Sequence, residues 1–208
     1  MISQKPPLWS LPCFEEQLAQ MLCARNKITL SPEGMIVAAV LVPLFINNGR
    51  PYVLLTERSD LVEHHRGEIS FPGGKFDPTD PDLKSCALRE TAEEIGMDPA
   101  HVRIVGELDD FYTVATRFLV APFVGMIPYP YEFRPSAREI AGLLSVPLEV
   151  FFDPVRRTEE IWTINDQPIE VISYRWKGYN IWGATARIMK HFTELIDAWQ
   201  LDPGSCAN

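Results

Sequence analysis

Residues 71–97 read FPGGKFDPTDPDLKSCALRETAEEIGM, and the run Arg89-Glu90-Thr91-Ala92-Glu93-Glu94-Ile95-Gly96 near its end decides how the rest of the chain is read. The segment from Asp82 to Ile95 has the marks of a helix. Asp80 or Asp82 can cap its start, Pro81 suits a first-turn position, and Gly96 ends it. At about 100° per residue, with Glu90 at zero, Glu94 falls near 40° and Glu93 near −60°, so three carboxylates share one side. Leu88, Ala92 and Ile95 fall roughly opposite and are expected to form the buried face. Like charges at these spacings repel by a few tenths of a kcal/mol per pair. Two readings remain open: a solvated acidic face, or a face that holds hard divalent cations such as Mg²⁺ or Mn²⁺, which take carboxylate oxygens and bridge to phosphates. Gly73-Gly74 precedes the helix in what reads as a loop. It is either a tight turn or a place where backbone comes close to a ligand.

Outward from that helix the pattern alternates. Phe14, Leu18, Met21 and Leu22 recur at helical spacing within residues 12–25. The β-branched run MIVAAVLVPLFI (35–46), the turn Asn47-Asn48-Gly49 and PYVLLTER (51–58) read as a hairpin. HVRIVGEL (101–108) and RFLVAPFVGMI (117–127) read as strands flanking a loop, further strands are expected at 160–164 and 168–175, and a last amphipathic helix covers about 184–199. Strands in mixed order with three or four helices predict an α/β (α+β) fold, a mixed sheet covered by helices on both faces. The expected organisation is an N-terminal helical extension over 1–30, one domain over 31–200 and a tail over 201–208.

Bulk properties exclude some functions. A net charge of −9 argues against holding nucleic acid through its phosphates, which needs surplus Lys and Arg. An acidic chain can still bind an anionic substrate through metal ions. The apolar run 35–46 contains Pro43 and is too short to span a bilayer. No basic-then-apolar leader opens the chain, and Cys13, Cys23, Cys86 and Cys206 fit no metal or disulfide framework. A cytoplasmic protein with reduced thiols is expected. The oligomeric state is not readable from sequence, a homodimer being one option.

The stretch Gly74 to Met97 resembles the Nudix box, a glycine and an acidic residue followed by Arg-Glu-aliphatic-x-Glu-Glu-x-Gly-aliphatic. Asp80 stands where that pattern has Glu, Thr91 replaces the aliphatic residue, and one extra residue lies between Asp80 and Arg89. The resemblance implies a three-layer α/β/α sandwich and a Mg²⁺- or Mn²⁺-dependent hydrolase of nucleoside diphosphate derivatives. It further implies that Glu90 and Glu94 are the principal metal ligands, that Glu93 shares the role, and that Arg89 orients them. A second stretch, Leu54-Leu55-Thr56-Glu57-Arg58-Ser59 through Gly67 to Phe71-Pro72-Gly73-Gly74, is similar to the signature of coenzyme A pyrophosphatases within that family. So are Pro122-Phe123-Val124-Gly125, Val146-Pro147-Leu148 and Trp182-Gly183-Ala184-Thr185-Ala186.

By that likeness Arg58, Gly67, Phe71, Gly73 and Gly74 bind the substrate, and coenzyme A yields 3′,5′-ADP and 4′-phosphopantetheine. Glu63 stands where the signature has Arg, and a carboxylate repels phosphate; His64, His65 or Arg66 are the substitutes at hand. Glu139, from a later loop, is the candidate general base or further ligand, the alternative being a solvated loop glutamate. Other substrates implied by the resemblance are ADP-ribose and NADH. A non-catalytic binding module is the rival of another class, and the complete set Glu90, Glu93 and Glu94 argues against it. Phe111, Tyr112 and Trp182 are either core residues or a stacking surface for adenine.

Overall fold

The computed structural model describes residues 13–60, 67–113, 116–164 and 167–201. In chain order it contains α1 (Phe14–Ala24), β1 (Ile36–Asn47), β2 (Arg50–Arg58), β3 (Ile69–Ser70), β4 (Gly73–Lys75) and α2 (Leu83–Ile95). There follow β5 (Arg103–Glu107), β6 (Phe111–Tyr112), β7 (Phe118–Met126), β8 (Ile140–Pro147), β9 (Arg157–Ile164), β10 (Gln167–Trp176), β11 (Tyr179–Trp182) and α3 (Gly183–Leu201).

The β1–β2 hairpin closes on Asn48-Gly49, whose φ angles of 50° and 74° are both in the left-handed region. This is the two-residue turn that matches strand twist, and it pairs Asn47 with Arg50. β1 then runs parallel to β7 from Ile36↔Phe118 to Leu44↔Met126, while its other edge is shared. The upper part of that edge pairs with β2 and the lower part, Ala38 to Val40, with β4. β2 continues alone beyond that fork, bonding to β3 on one side and to β8 on the other.

Alternation along these strands makes three layers. Ala39, Leu41, Ala121 and Phe123 pack with Cys86 and Ala87 of α2. Val42, Leu44, Val53, Leu55, Val124 and Met126 point the other way and join Leu18 and Met21 of α1 and Phe192 and Ile196 of α3. The expected mixed sheet with helices on both faces is therefore present. α1 is part of the main core: Leu22 packs where a side chain on Gly106 of β5 would have to go, 2.4 Å from the Cβ position.

Several expectations are corrected. Gly73-Gly74 lies in a short strand, because its backbone bonds to β1, and not in a loop. β8 was not anticipated from IAGLLSVP, and β9, β10 and β11 form a separate three-stranded sheet. Pro81 precedes the cap of α2; Asp82 is the N-cap, with its carboxylate accepting from the Ser85 amide. The buried face of α2 is Cys86, Ala87, Thr91, Glu94 and Ile95, whereas Leu88 and Ala92 are only half-buried. The helix thus turns the side carrying Glu90 and Glu94 towards the sheet.

Candidate active site

Two glycines set the geometry. Gly73 has φ 150°, and a Cβ there would meet the Ala39 carbonyl oxygen at 2.4 Å. Only glycine lets β4 lie so close to β1. At Gly74 an added Cβ would fall 2.5 Å from the Glu90 carboxyl, so the missing side chain is the space into which Glu90 fits. The Gly73 amide donates to Glu94 Oε2 at 3.2 Å. One turn of α2 therefore lays two carboxylates onto the backbone of one glycine pair.

Arg89 organises the next layer. Its guanidinium forks onto Asp80, Nε to Oδ1 at 2.8 Å and Nη2 to Oδ2 at 3.0 Å. Nη1 donates to Glu90 Oε1 at 2.9 Å and to Glu93 Oε2 at 3.1 Å, and Nη2 also reaches the Lys75 carbonyl. The buried Asp80 carboxyl is held well below its ordinary range, chiefly by this hydrogen bond. Asp80 is thus the anchor of Arg89 and not the helix cap. Reading it as a capping candidate missed that role, although an acid nine residues before the arginine was the available signal.

The carboxylates differ sharply in environment. Glu94 is 4% exposed, and burial pushes its pKa up to about 7 despite the Gly73 amide and the Arg58 guanidinium, whose Nη1 lies 3.7 Å away. Glu90 is half-buried and is also raised, again mainly by desolvation. Glu139 adds to both shifts through its negative charge, which places it in the same electrostatic neighbourhood. Its backbone carbonyl accepts from the Ser59 amide, tying it to the end of β2. Glu93 is different: its side chain is 58% exposed and faces solvent beside Arg89.

Of the other expected residues, Gly67 has φ 66° and its amide donates to the Arg58 carbonyl, returning the chain onto β2. Phe71 is 4% exposed and sits in the main core, where its side chain offers no surface to a ligand. Glu63, His64, His65 and Arg66 lie outside the described residues. Among the described residues no three acidic, His or Cys side chains converge into a closed metal cage. The donors present are nonetheless carboxylate oxygens carrying more negative charge than Arg58 and Arg89 offset locally, which is the chemistry a hard divalent cation requires. Of these, Glu90 and Glu94 lie together at the glycine pair, and Glu93 faces solvent one step away.

The NUDIX domain family model matches residues 35–176, from the start of β1 to the end of β10. The chain belongs to the Nudix family. This Nudix hydrolase is 33% identical over 165 residues to an uncharacterized Nudix hydrolase, NudL, of Yersinia enterocolitica, covering 77% of this chain and 81% of the relative. It is 40% identical over 116 residues to the peroxisomal coenzyme A diphosphatase NUDT7 of Mus musculus, covering 56% of this chain and 49% of that one. Among solved structures, a MutT/nudix family protein from Enterococcus faecalis superposes with a TM-score of 0.55 at 14% identity, over 93% of this chain and 78% of the other. That likeness concerns the fold alone. It agrees with the mixed sheet between helices described above.

Proposed function

We propose that this Nudix hydrolase is a Mg²⁺- or Mn²⁺-dependent diphosphatase that hydrolyses coenzyme A or its derivatives to 3′,5′-ADP and 4′-phosphopantetheine. The observation that carries the reading is the approach of Arg58 to Glu94. It joins the end of the Leu54–Ser59 stretch, which resembles the coenzyme A signature, to the acidic helix that resembles the Nudix box. The similarity to the mouse coenzyme A diphosphatase supports the same substrate class.

Glu90, Glu93 and Glu94 would hold a divalent cation, which when bound would polarise a phosphoryl oxygen and lower the pKa of a water. The protein's own groups do the positioning. Arg89, clamped by Asp80, holds Glu90 and Glu93 in place, so that little is reorganised as charge develops. Arg58 presents a guanidinium to the diphosphate beside Glu94. Glu139 is suited to take the proton of the attacking water. Gly73 and Gly74 let β4 lie against β1 and let Glu90 seat on the backbone, which fixes both carboxylates of α2 beside Arg58. Among the described residues no helix is long and apolar enough to cross a membrane; the reading places the enzyme with small dissolved nucleotides in the cytoplasm.

The test is incubation with coenzyme A and Mg²⁺ or Mn²⁺, with ADP-ribose and NADH in parallel and products resolved by mass. Chelator-sensitive formation of 3′,5′-ADP and 4′-phosphopantetheine is expected, and would show that Glu63 is tolerated. Cleavage of ADP-ribose or NADH alone would overturn the coenzyme A assignment while keeping diphosphate chemistry. Turnover of none of them would move the chain to a binding role.

A further inference from the structure

The site carries more acid than base. Glu90, Glu93, Glu94 and Glu139 share one neighbourhood with Arg58 and Arg89. Arg89 has nothing to spare, because its nitrogens already donate to Asp80, Glu90, Glu93 and the Lys75 carbonyl. Arg58 approaches Glu94 only to 3.7 Å, longer than a hydrogen bond. A diphosphate that arrives here therefore meets one protein guanidinium, and that one is shared with a carboxylate.

The segment that joins β7 to β8 supplies another. Residues 136–140 close one turn, in which the Glu139 and Ile140 amides donate to the Ser136 carbonyl at 2.9 and 2.8 Å. Each end of the turn is bonded to one wall of the site. The Ser136 amide donates to the Glu94 carbonyl at 2.8 Å, at the end of α2. The Glu139 carbonyl accepts from the Ser59 amide at 2.8 Å, and Ile140 is the register partner of Arg58. Arg138 thus lies midway between a residue bonded to the Glu94 backbone and one paired with Arg58. Residues paired across a ladder are about 5 Å apart and residues two apart in a helical turn about 5–6 Å, so the Cα atoms of Arg138 and Arg58 are within about 11 Å. Two arginine side chains from there can close on one phosphate group. The neighbouring Glu139 acts electrostatically on both Glu90 and Glu94, which puts the turn beside the carboxylates. Arg138 itself is exposed and, among the described residues, has no hydrogen bond, ion pair or ring contact. In a chain of net charge −9, a guanidinium left unpaired beside an acidic site is available to an anion.

We propose that Arg138 is a substrate-binding residue, which holds the diphosphate from the side of this turn while Arg58 holds it from the end of β2. The proposal rests on the diphosphatase reading above. A guanidinium offers paired donors to phosphate oxygens, and one such contact at a partly exposed site is worth about a factor of ten in binding. Backbone bonds anchor the turn at both ends, so removal of the Arg138 side chain leaves Glu139 in place.

The test measures kcat and KM on coenzyme A, and the Kd of ADP with Mg²⁺ by calorimetry, for the native chain, Arg138→Ala and Arg138→Lys. Arg138→Ala should raise both KM and the Kd of ADP about tenfold, with kcat altered less than about twofold and Tm unchanged. It should also weaken the rise of KM with salt. Arg138→Lys should fall between, since an ammonium keeps the charge and loses the fork. An unchanged KM, or a fall in kcat alone, which would signal a disturbed Glu139, overturns the assignment of Arg138 while coenzyme A hydrolysis stands. If ADP-ribose or NADH alone is cleaved, the coenzyme A reading falls, and the same rise in KM on that diphosphate supports Arg138. Turnover of no diphosphate overturns the reading and this inference with it.

Discussion

Glu94 is the residue where folding and chemistry pull against each other. Its carboxyl is buried, and its pKa of about 7 lies above the ordinary 4.5, so the folded chain keeps a proton that the unfolded chain releases between those values. Stability of the metal-free protein therefore falls as pH rises from about 4.5 through 7, by on the order of 3 kcal/mol from this group. Glu94→Gln removes that cost. In chelator, the variant should melt above the native chain at pH 8 and level with it near pH 4.5, as read by thermal unfolding. The same change should lower kcat about 100- to 1000-fold. A variant that stays fully active would sink the ligand assignment, and one with no pH-dependent gain in Tm would sink the electrostatic account. Arg89 and Asp80 show the complementary case, since a buried carboxylate with a forked guanidinium keeps its charge at little cost.

At the scale of elements, the hairpin and the glycine strand were unequally legible. Asn48-Gly49 is a local signal, because the turn it makes depends on φ angles that few other residues accept. Gly49→Ala meets no neighbouring atom, so its cost is backbone strain alone, about 1–2 kcal/mol, and should appear as a lower Tm with unaltered KM. A change in KM would mean that the hairpin end reaches the site. β4 has no such local signal. Gly73 and Gly74 have poor strand propensity and are held in the sheet only by pairing with Ala39 and Val40. α2 was legible as a helix from its period and its caps, yet its buried side was misread. Leu88 and Ala92 look like core residues by type. The sheet instead takes the small side chains Ala87 and Thr91, and the acidic groups are drawn in with them.

The whole molecule is tied together away from the site by ion pairs between the segment after α1 and the loop after β5. Arg25 bonds to Asp109 and to the Glu107 carbonyl. Lys27 Nζ lies 2.7 Å from Glu107 and 2.9 Å from Asp110, whose side chain is only 2% exposed. The same Asp110 accepts from the Leu30 amide. Lys27→Ala leaves that carboxylate buried without its cation and should cost about 3–5 kcal/mol. Chemical denaturation would measure it, and a loss below about 1 kcal/mol, the worth of a surface pair, would show the strap to be incidental. The same region carries α1 into the main core through Phe14, Leu18, Met21 and Leu22.

The sequence by itself determined the elements whose signals are local and the chemistry whose residues are adjacent: the hairpin turn, the period and caps of α2, and the acidic run from Glu90 to Glu94. Only the tertiary structure decided what lies against what. The seating of Glu90 in the space above Gly74, the approach of Arg58 to Glu94 and the pairing of β2 with the strand at Ile140–Pro147 all join residues well apart in the chain. The physical reason is the same in each case. A hydrogen bond, an ion pair or a strand ladder between distant segments depends on the relative placement of packed layers, and no local propensity or spacing encodes that placement.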